Sequence, residues 1–136
     1  MVSKPSILSV KVVVRDADGR CLLLRRAPDS RGNPGKWEFP GGKVALGEEF
    51  DQVVQREVGE ETGLIIAVQR ALGTAQADLP ARKVIYLILE ADLEAGTVQL
   101  SGEHDAYEWR YPHELVDMDL VRHFLPFVKR YARGEV

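Results

Sequence analysis

Residues 42–64 read GKVALGEEFDQVVQREVGEETGL, and the second half of this stretch decides the fold around it. Apolar residues recur there with helical spacing, so we predict an α-helix over residues 50–62. Glu57, Glu60 and Glu61 lie at positions i, i+3 and i+4 of that helix, where like charges repel one another. They also lie near its carboxyl end, where the helix dipole disfavours negative charge. The cluster therefore destabilises the helix unless a cation binds to it.

The orientation of these acids distinguishes them from an ordinary solvated helix face. One arc of the helix carries its large apolar side chains, Phe50, Val53, Val54 and Val58. At about 100° per residue, Glu57 and Glu61 fall inside that arc and Glu60 falls at its edge. Acidic residues normally occupy the opposite, polar side. Inward-facing carboxylates suit a hard divalent cation, which in turn points to chemistry on phosphates.

The wider spacing makes the motif specific. Gly42, five residues, Glu48, seven residues and then REVGEETGL (residues 56–64) resemble the Nudix box, with every fixed position filled. The preceding KWEFPGGK (residues 36–43) looks like the MutT-type members in particular. The resemblance implies hydrolysis of a diphosphate linkage. It also implies an α/β (α+β) fold, a Nudix-type α/β/α sandwich with a mixed β-sheet between helices.

The length of 136 residues suits one domain, so we expect a single Nudix domain over residues 1–136 with its box at residues 42–64. Periodicity and turn signals predict strands at residues 9–15, 21–26, 37–39, 64–68 with an extension to 74, 83–93, 97–100 and 106–111. The run at residues 84–89 is apolar enough for a strand buried on both faces. A second long helix is predicted over residues 119–132, with Pro126 kinking it or delaying its start.

The resemblance assigns roles within the box. It implies Mg²⁺ as cofactor, with Mn²⁺ as a substitute, and Glu57, Glu60 and Glu61 as metal ligands. Glu60 and Glu61 are also expected to be catalytic, together with Arg56, which would orient the neighbouring carboxylates through charge-assisted hydrogen bonds. Glu48 would support the loop and the ligand shell from the other side. Oxygen ligands at helical spacing, without a His or Cys cluster, argue against zinc.

A further carboxylate outside the box is expected in this family, and Glu103 is the candidate. It lies in the predicted loop SGEHD (residues 101–105), where a solvent-facing loop acid is the alternative interpretation. Asp105 and His104 are weaker candidates. The three histidines are predicted to be surface or capping residues: His104, His113 and His123.

Four residues are expected to contact the substrate: Arg26, Phe39, Gly41 and Gly42. Arg26 matches a phosphate-contacting position of MutT-like members. Phe39, or a strand side chain near Val10 or Val12, would flank a base. The two glycines would let the loop backbone pass close to the helix and the metal.

Charge and composition narrow the choice of partners. A net charge of −3 argues against non-specific binding to nucleic acid polymers or anionic membranes, and the resemblance implies a small nucleotide as substrate. The single cysteine, Cys21, cannot form an intrachain disulfide and is predicted to lie in the core. The N-terminal apolar stretch is too short and too mixed for a secretion signal or a membrane span, so a cytoplasmic location is the default. A homodimer is possible for a protein of this family, but nothing in the sequence marks an interface.

Three functions compete. The first is hydrolysis of a nucleoside triphosphate, ordinary or oxidised, to the monophosphate and pyrophosphate. The second is hydrolysis of ADP-ribose or another nucleotide sugar, for which Pro80, sixteen residues beyond Leu64 (80 − 64), is a weak family marker. The third is a non-catalytic Nudix-fold binding module, which the complete set of box glutamates disfavours.

Overall fold

The described chain, residues 4–45 and 47–136 of a computed structural model, runs through four strands, one helix, three more strands and a C-terminal helical segment. Leu46, inside the predicted box, lies outside the described residues, as do residues 1–3. The strands are β1 (Ser6–Arg15), β2 (Cys21–Arg26), β3 (Trp37–Glu38), β4 (Gly41–Lys43), β5 (Ile65–Asp78), β6 (Lys83–Ala95) and β7 (His104–Arg110). The α-helices are α1 (Phe50–Thr62) and α2 (Leu125–Ala132), and short 3-10 helices span Pro112–Asp117 and Arg122–Phe124.

Within the described residues, seven strands form one mixed sheet in the order β3-β2-β1-β6-β5, with β4 beside β1 and β7 beside β2. The β1–β6 pair is parallel, and the other pairs are antiparallel. Strand β1 lies at the centre because it pairs with β2, β4 and β6. The glycines of β4 are therefore held directly between β1 and the end of α1.

Helices cover both faces of the sheet. Because side chains alternate along each strand, β1 and β2 contribute residues to the core on each face. On β1, Val12 packs in the core beneath α1, whereas Val13 packs in the core that contains α2. The same alternation along β2 sends two residues to each side, Leu22 and Leu24 towards α1 and Cys21 and Leu23 towards α2. Each fully buried valine or leucine contributes about 1.5–3 kcal/mol. The predicted α/β/α sandwich with a mixed sheet is confirmed, as is the burial of Cys21.

The predicted helix over residues 50–62 agrees with α1, but several other predictions need correction. No strand forms at residues 97–100; instead Gln99 N donates to Thr62 O at 2.8 Å, so this segment closes over the end of α1. The second long helix begins only at Leu125, because Pro126 is accepted in the first turn of a helix and not in its middle. Strand β6 is not buried on both faces throughout, since Ile85 is 37% exposed.

Across the described residues, no helix is both long and apolar enough to cross a membrane.

Candidate active site

The last turn of α1 carries the three glutamates to one end of the sheet. Glu61 is buried, with 6% of its surface exposed, and Glu57 is half-buried, whereas Glu60 is exposed. This gradient matches the predicted positions, since Glu57 and Glu61 fall inside the apolar arc and Glu60 falls at its edge. The helix therefore starts with an apolar inward face and ends with an acidic one.

Strand β4 contacts the buried acid through its backbone. Gly41 N donates to Glu61 Oε1 at 2.7 Å. Gly41 itself pairs with Lys11 of β1, and a Cβ at position 41 would lie 2.0 Å from Val10 O. Only glycine lets the loop approach the strand this closely, which fixes the N–H that holds Glu61.

Gly42 makes room for the second acid. A Cβ on Gly42 would lie 2.3 Å from Glu57 Oε2, far inside van der Waals contact. The Glu57 carboxylate therefore occupies the space that a side chain at position 42 would need. The predicted role of the two glycines, a close approach of the loop to the helix, agrees with these contacts.

We expect Gly42→Ala to weaken divalent-cation binding about tenfold or more while the protein still folds, because a displacement near 1 Å can cost as much as 100-fold at a precise site. The added methyl group meets the end of a flexible side chain, so the Glu57 carboxylate moves and not the backbone. The measurement is Mn²⁺ affinity by electron paramagnetic resonance, together with the melting temperature. Gly59→Ala is the matched control, since a Cβ at position 59 would meet no atom of the described chain within 4 Å. Equal Mn²⁺ affinity in both variants would contradict the prediction that Glu57 is a metal ligand.

Arg56 joins the box acids on the outer side of the helix. Its guanidinium donates to Glu48 at 2.9 Å, to Glu57 at 3.2 Å and to Glu60 at 3.4 Å. The positive guanidinium of Arg56 thus offsets part of the repulsion among the three carboxylates and fixes their orientations. Glu48, which precedes α1, is tied to the helix by this contact.

Glu103, the candidate outside the box, lies in the loop before β7 and meets the end of α1. One oxygen of Glu61, one oxygen of Glu103 and one imidazole nitrogen of His104 all lie within 4.8 Å of one another. Glu103 O also accepts from Ala27 N at 3.0 Å, which holds the loop in place. The residues around a cavity of about 340 Å³ at this point are Glu57, Glu60, Glu61, Ser101, Gly102 and Glu103.

The surroundings of Glu61 disfavour its charged form. Burial raises the pKa of Glu61 to about 8, and the ammonium of Lys11 and the N–H of Gly41 only partly oppose this. The neighbouring carboxyl group of Glu103 and the charge of Glu38 raise the pKa of Glu61 further. Each of two neighbouring carboxylates disfavours the ionisation of the other unless a cation lies between them.

The residues present therefore fit a hard divalent metal. The candidate ligands at the end of α1 are carboxylates, which Mg²⁺ and Mn²⁺ prefer. Burial raises the pKa of Glu57 as well. Two of the box acids therefore lie where the charged form is disfavoured, and a bound cation would offset that cost. The imidazole of His104 has its Nε2 directed to Glu38, at 2.9 Å from Oε2.

Phe39 is not available to a base, contrary to the prediction. It is 1% exposed, and its ring packs edge-to-face on Phe124 and Phe127 with centroids 6.3 and 6.2 Å apart. The alternative positions Val10 and Val12 are fully buried. Val10 and Val12 belong to the core because β1 is covered by helices on both faces, and Phe39, between β3 and β4, packs into the core that contains α2.

Arg26 lies at the site, but other residues hold its guanidinium. Nη1 donates to Glu38 at 2.9 Å, and Nε donates to Gly32 O at 2.6 Å. The side chain is half-buried and lines a second cavity, of about 350 Å³, beside Glu103. Arg26 therefore borders the cleft while stabilising the strand ends beneath it.

A buried charged cluster, not predicted from the sequence, lies behind the acids and consists of Lys11, Glu38 and His104. His104 is 5% exposed and is not a surface residue, which corrects the prediction. His123 is also partly buried, stacked on Tyr86 with centroids 5.0 Å apart. One signal was present: Lys11 shares its face of β1 with the core residue Val13, an unusual place for a charge.

Comparisons with known proteins agree with this geometry. The NUDIX domain family model matches residues 5–131. A MutT-like protein of Streptomyces ambofaciens is 36% identical over 110 residues, which cover 81% of this chain and 66% of that protein. The CTP pyrophosphohydrolase of Escherichia coli K12 is 29% identical over 125 residues, covering 92% of this chain and 91% of that one.

A solved structure is similar over almost the full length. The crystal structure of the MutT protein from Methanosarcina mazei Go1 gives a TM-score of 0.89 at 37% identity, covering 98% of each chain. The fold, the box and the placement of its glutamates thus lead to one assignment. The chain belongs to the Nudix family and is a MutT-like hydrolase.

Proposed function

We propose that this hydrolase is a Mg²⁺-dependent pyrophosphohydrolase that converts a nucleoside triphosphate, ordinary or oxidised, to the monophosphate and pyrophosphate. The observation that carries the proposal is the acidic cavity at the end of α1, where buried Glu61 and exposed Glu103 meet. Such a cavity opposes the binding of an anionic nucleotide unless divalent cations accompany it.

Glu57, Glu60 and Glu61 would hold Mg²⁺, or Mn²⁺ in its place, with Glu103 as an additional ligand or as a base. A bound divalent cation offsets phosphate charge and lowers the pKa of a coordinated water. Arg56 keeps the outer acids in position through its hydrogen bonds.

Glu103 is the candidate base for the proton that hydrolysis releases. The reaction adds one water across a P–O–P bridge: the water oxygen bonds to phosphorus, the bridging P–O bond breaks, and a proton leaves the attacking water. Glu103 is exposed at the cavity while its neighbour Glu61 is buried, so Glu103 can exchange protons with solvent. This difference in exposure between Glu61 and Glu103 supports Glu103 as the base.

Two adjoining cavities form the cleft beside the acids. Gly102 and Glu103 line both the acidic cavity and the second cavity, so the two adjoin. Arg26 and Arg31 line the second cavity together with Asp29, so guanidinium groups lie at that end of the cleft. A triphosphate can place cation-bound phosphates at the acidic end and a further phosphate beside these guanidinium groups. The activity named for the E. coli relative, on CTP, agrees with a triphosphate substrate.

Hydrolysis of ADP-ribose is the second candidate, and Pro80 is its only sequence marker. In the structure Pro80 is exposed in the turn between β5 and β6, where Leu79 N donates to Arg82 O at 2.8 Å. A tight turn accounts for the proline without any contact to substrate.

A substrate panel tests the proposal. It measures pyrophosphate and phosphate release from the ordinary and oxidised dNTPs, the NTPs, ADP-ribose, NADH and dinucleoside polyphosphates, with Mg²⁺, Mn²⁺ or EDTA. We expect pyrophosphate release from at least one triphosphate, with kcat/KM at least about tenfold above that for ADP-ribose, a difference near 1.4 kcal/mol. Preference for ADP-ribose would select the second candidate, and binding without turnover would select a non-catalytic module.

A further inference from the structure

Glu38 lies at the centre of a buried set of charges beneath the acidic cavity. Its carboxylate accepts from Lys11 Nζ at 3.3 Å and from Arg26 Nη1 at 2.9 Å, and it lies 2.9 Å from His104 Nε2. These four residues come from β1, β2, β3 and β7. One buried carboxylate thus ties together four strands of the sheet beneath the acidic cavity.

His104 connects this set to the acids above it. It directly follows Glu103, and it pairs with Arg26 where β7 meets β2. One of its ring nitrogens lies within 4.8 Å of both a Glu61 and a Glu103 oxygen. The imidazole side chain is 1% exposed, so bulk water does not reach its contact with Glu38.

We propose that His104 is a positioning residue for the metal site: its imidazole, fixed by Glu38, fills the space beside Glu103 and Glu61 and so keeps their carboxylates facing one cation. The inference rests on the proposed function, since it presumes that these two acids bind the metal. Side chains of ligands and bases need support from neighbours whose own rotamers are locked. Here the lock is the His104–Glu38 contact, because Glu38 is itself held by two cations.

Two substitutions separate positioning from simple packing. In His104→Gln, the amide nitrogen can reach the place of Nε2 and still donate to Glu38. In His104→Asn, the shorter side chain puts its nitrogen near the place of Nδ1, too far from Glu38. We expect the Mn²⁺ dissociation constant of His104→Asn to rise about tenfold or more, as for other partners of metal ligands, and that of His104→Gln to stay within about threefold of wild type.

Mn²⁺ titration by electron paramagnetic resonance gives the affinities, and thermal unfolding in EDTA reports folding. His113→Asn, at an exposed histidine, is the matched control and should bind Mn²⁺ as the wild type does. If His104→Asn only lowers the melting temperature and binds Mn²⁺ normally, His104 is a packing residue and the inference is wrong. Equal weakening in both His104 variants also overturns it, since the contact with Glu38 then has no part in positioning. If the wild type itself binds no Mn²⁺, the proposed function fails first.

Discussion

Replacing Glu61 with glutamine is expected to abolish Mg²⁺-dependent turnover and to stabilise the metal-free protein. The amide keeps the size of the side chain and an oxygen for Gly41 N–H, so the fold should persist. It removes the charge that would bind the cation. We expect kcat/KM to fall at least about 100-fold, because even indirect partners of metal ligands cost 10- to 100-fold.

The gain in stability follows from the raised pKa of Glu61, about 8 in the folded protein against an ordinary value of 4.5. Between these two pH values the folded chain keeps a proton that the unfolded chain releases. The Glu61 contribution to the free energy of unfolding therefore falls as pH rises from 4.5 to 8. Above that window Glu61→Gln should be more stable than wild type by about 2–4 kcal/mol in EDTA, and near pH 4.5 the difference should vanish.

Urea unfolding at pH 4.5, 6 and 8 measures this difference. Mg²⁺ should stabilise the wild type, which binds it, and leave Glu61→Gln unchanged. Glu94→Gln, at an exposed glutamate, controls for the loss of one negative charge. Wild-type turnover in Glu61→Gln, or a stability difference independent of pH, would remove Glu61 from the metal site.

The acidic end of α1 could be predicted because its pattern is local. Glu57 and Glu61 fall within the apolar arc through their spacing alone, and the burial in the structure follows that spacing. The core positions on the central strands could be predicted for the same reason, since alternation along a strand is also a local property. Residue types at short range thus determine the elements and most of the acidic cavity.

The charged cluster beneath the site could not be predicted, because its contacts join distant parts of the chain. Glu38 and His104 are 66 positions apart, and Lys11 and Glu38 are 27 apart. Nothing near His104 distinguishes a buried partner from a loop histidine. The prediction that Phe39 flanks a base failed for a related reason. Its ring is buried against two phenylalanines of the C-terminal segment, which are distant in sequence.

Glu38→Gln is expected to destabilise the protein more than other single changes near the site. The substitution leaves Lys11, whose side chain is 8% exposed, and half-buried Arg26 without their counter-charge. Removing one member of a buried ion pair costs about 3–5 kcal/mol, since the remaining charge stays desolvated. We expect the free energy of unfolding at pH 7, measured in urea, to fall by that amount.

The loss should depend on pH in a defined direction. Although burial alone would raise the pKa of Glu38, Lys11, His104 and Arg26 together hold it at about 2. The ionised carboxylate therefore contributes its full stabilisation above pH 4.5, and the contribution is lost as pH falls towards 2. The gap between wild type and Glu38→Gln should narrow over that window, whereas the exposed control Glu94→Gln should show no comparable narrowing.

A second substitution identifies the source of the loss. If unpaired positive charge causes it, Lys11→Met in the Glu38→Gln background should restore part of the stability, because one desolvated cation is gone. If Lys11→Met and Glu38→Gln instead add independently, the Lys11–Glu38 contact contributes nothing of its own. A coupling of about 1 kcal/mol or more would show that a central cation–carboxylate pair, and not apolar packing alone, supports the floor of the acidic cavity.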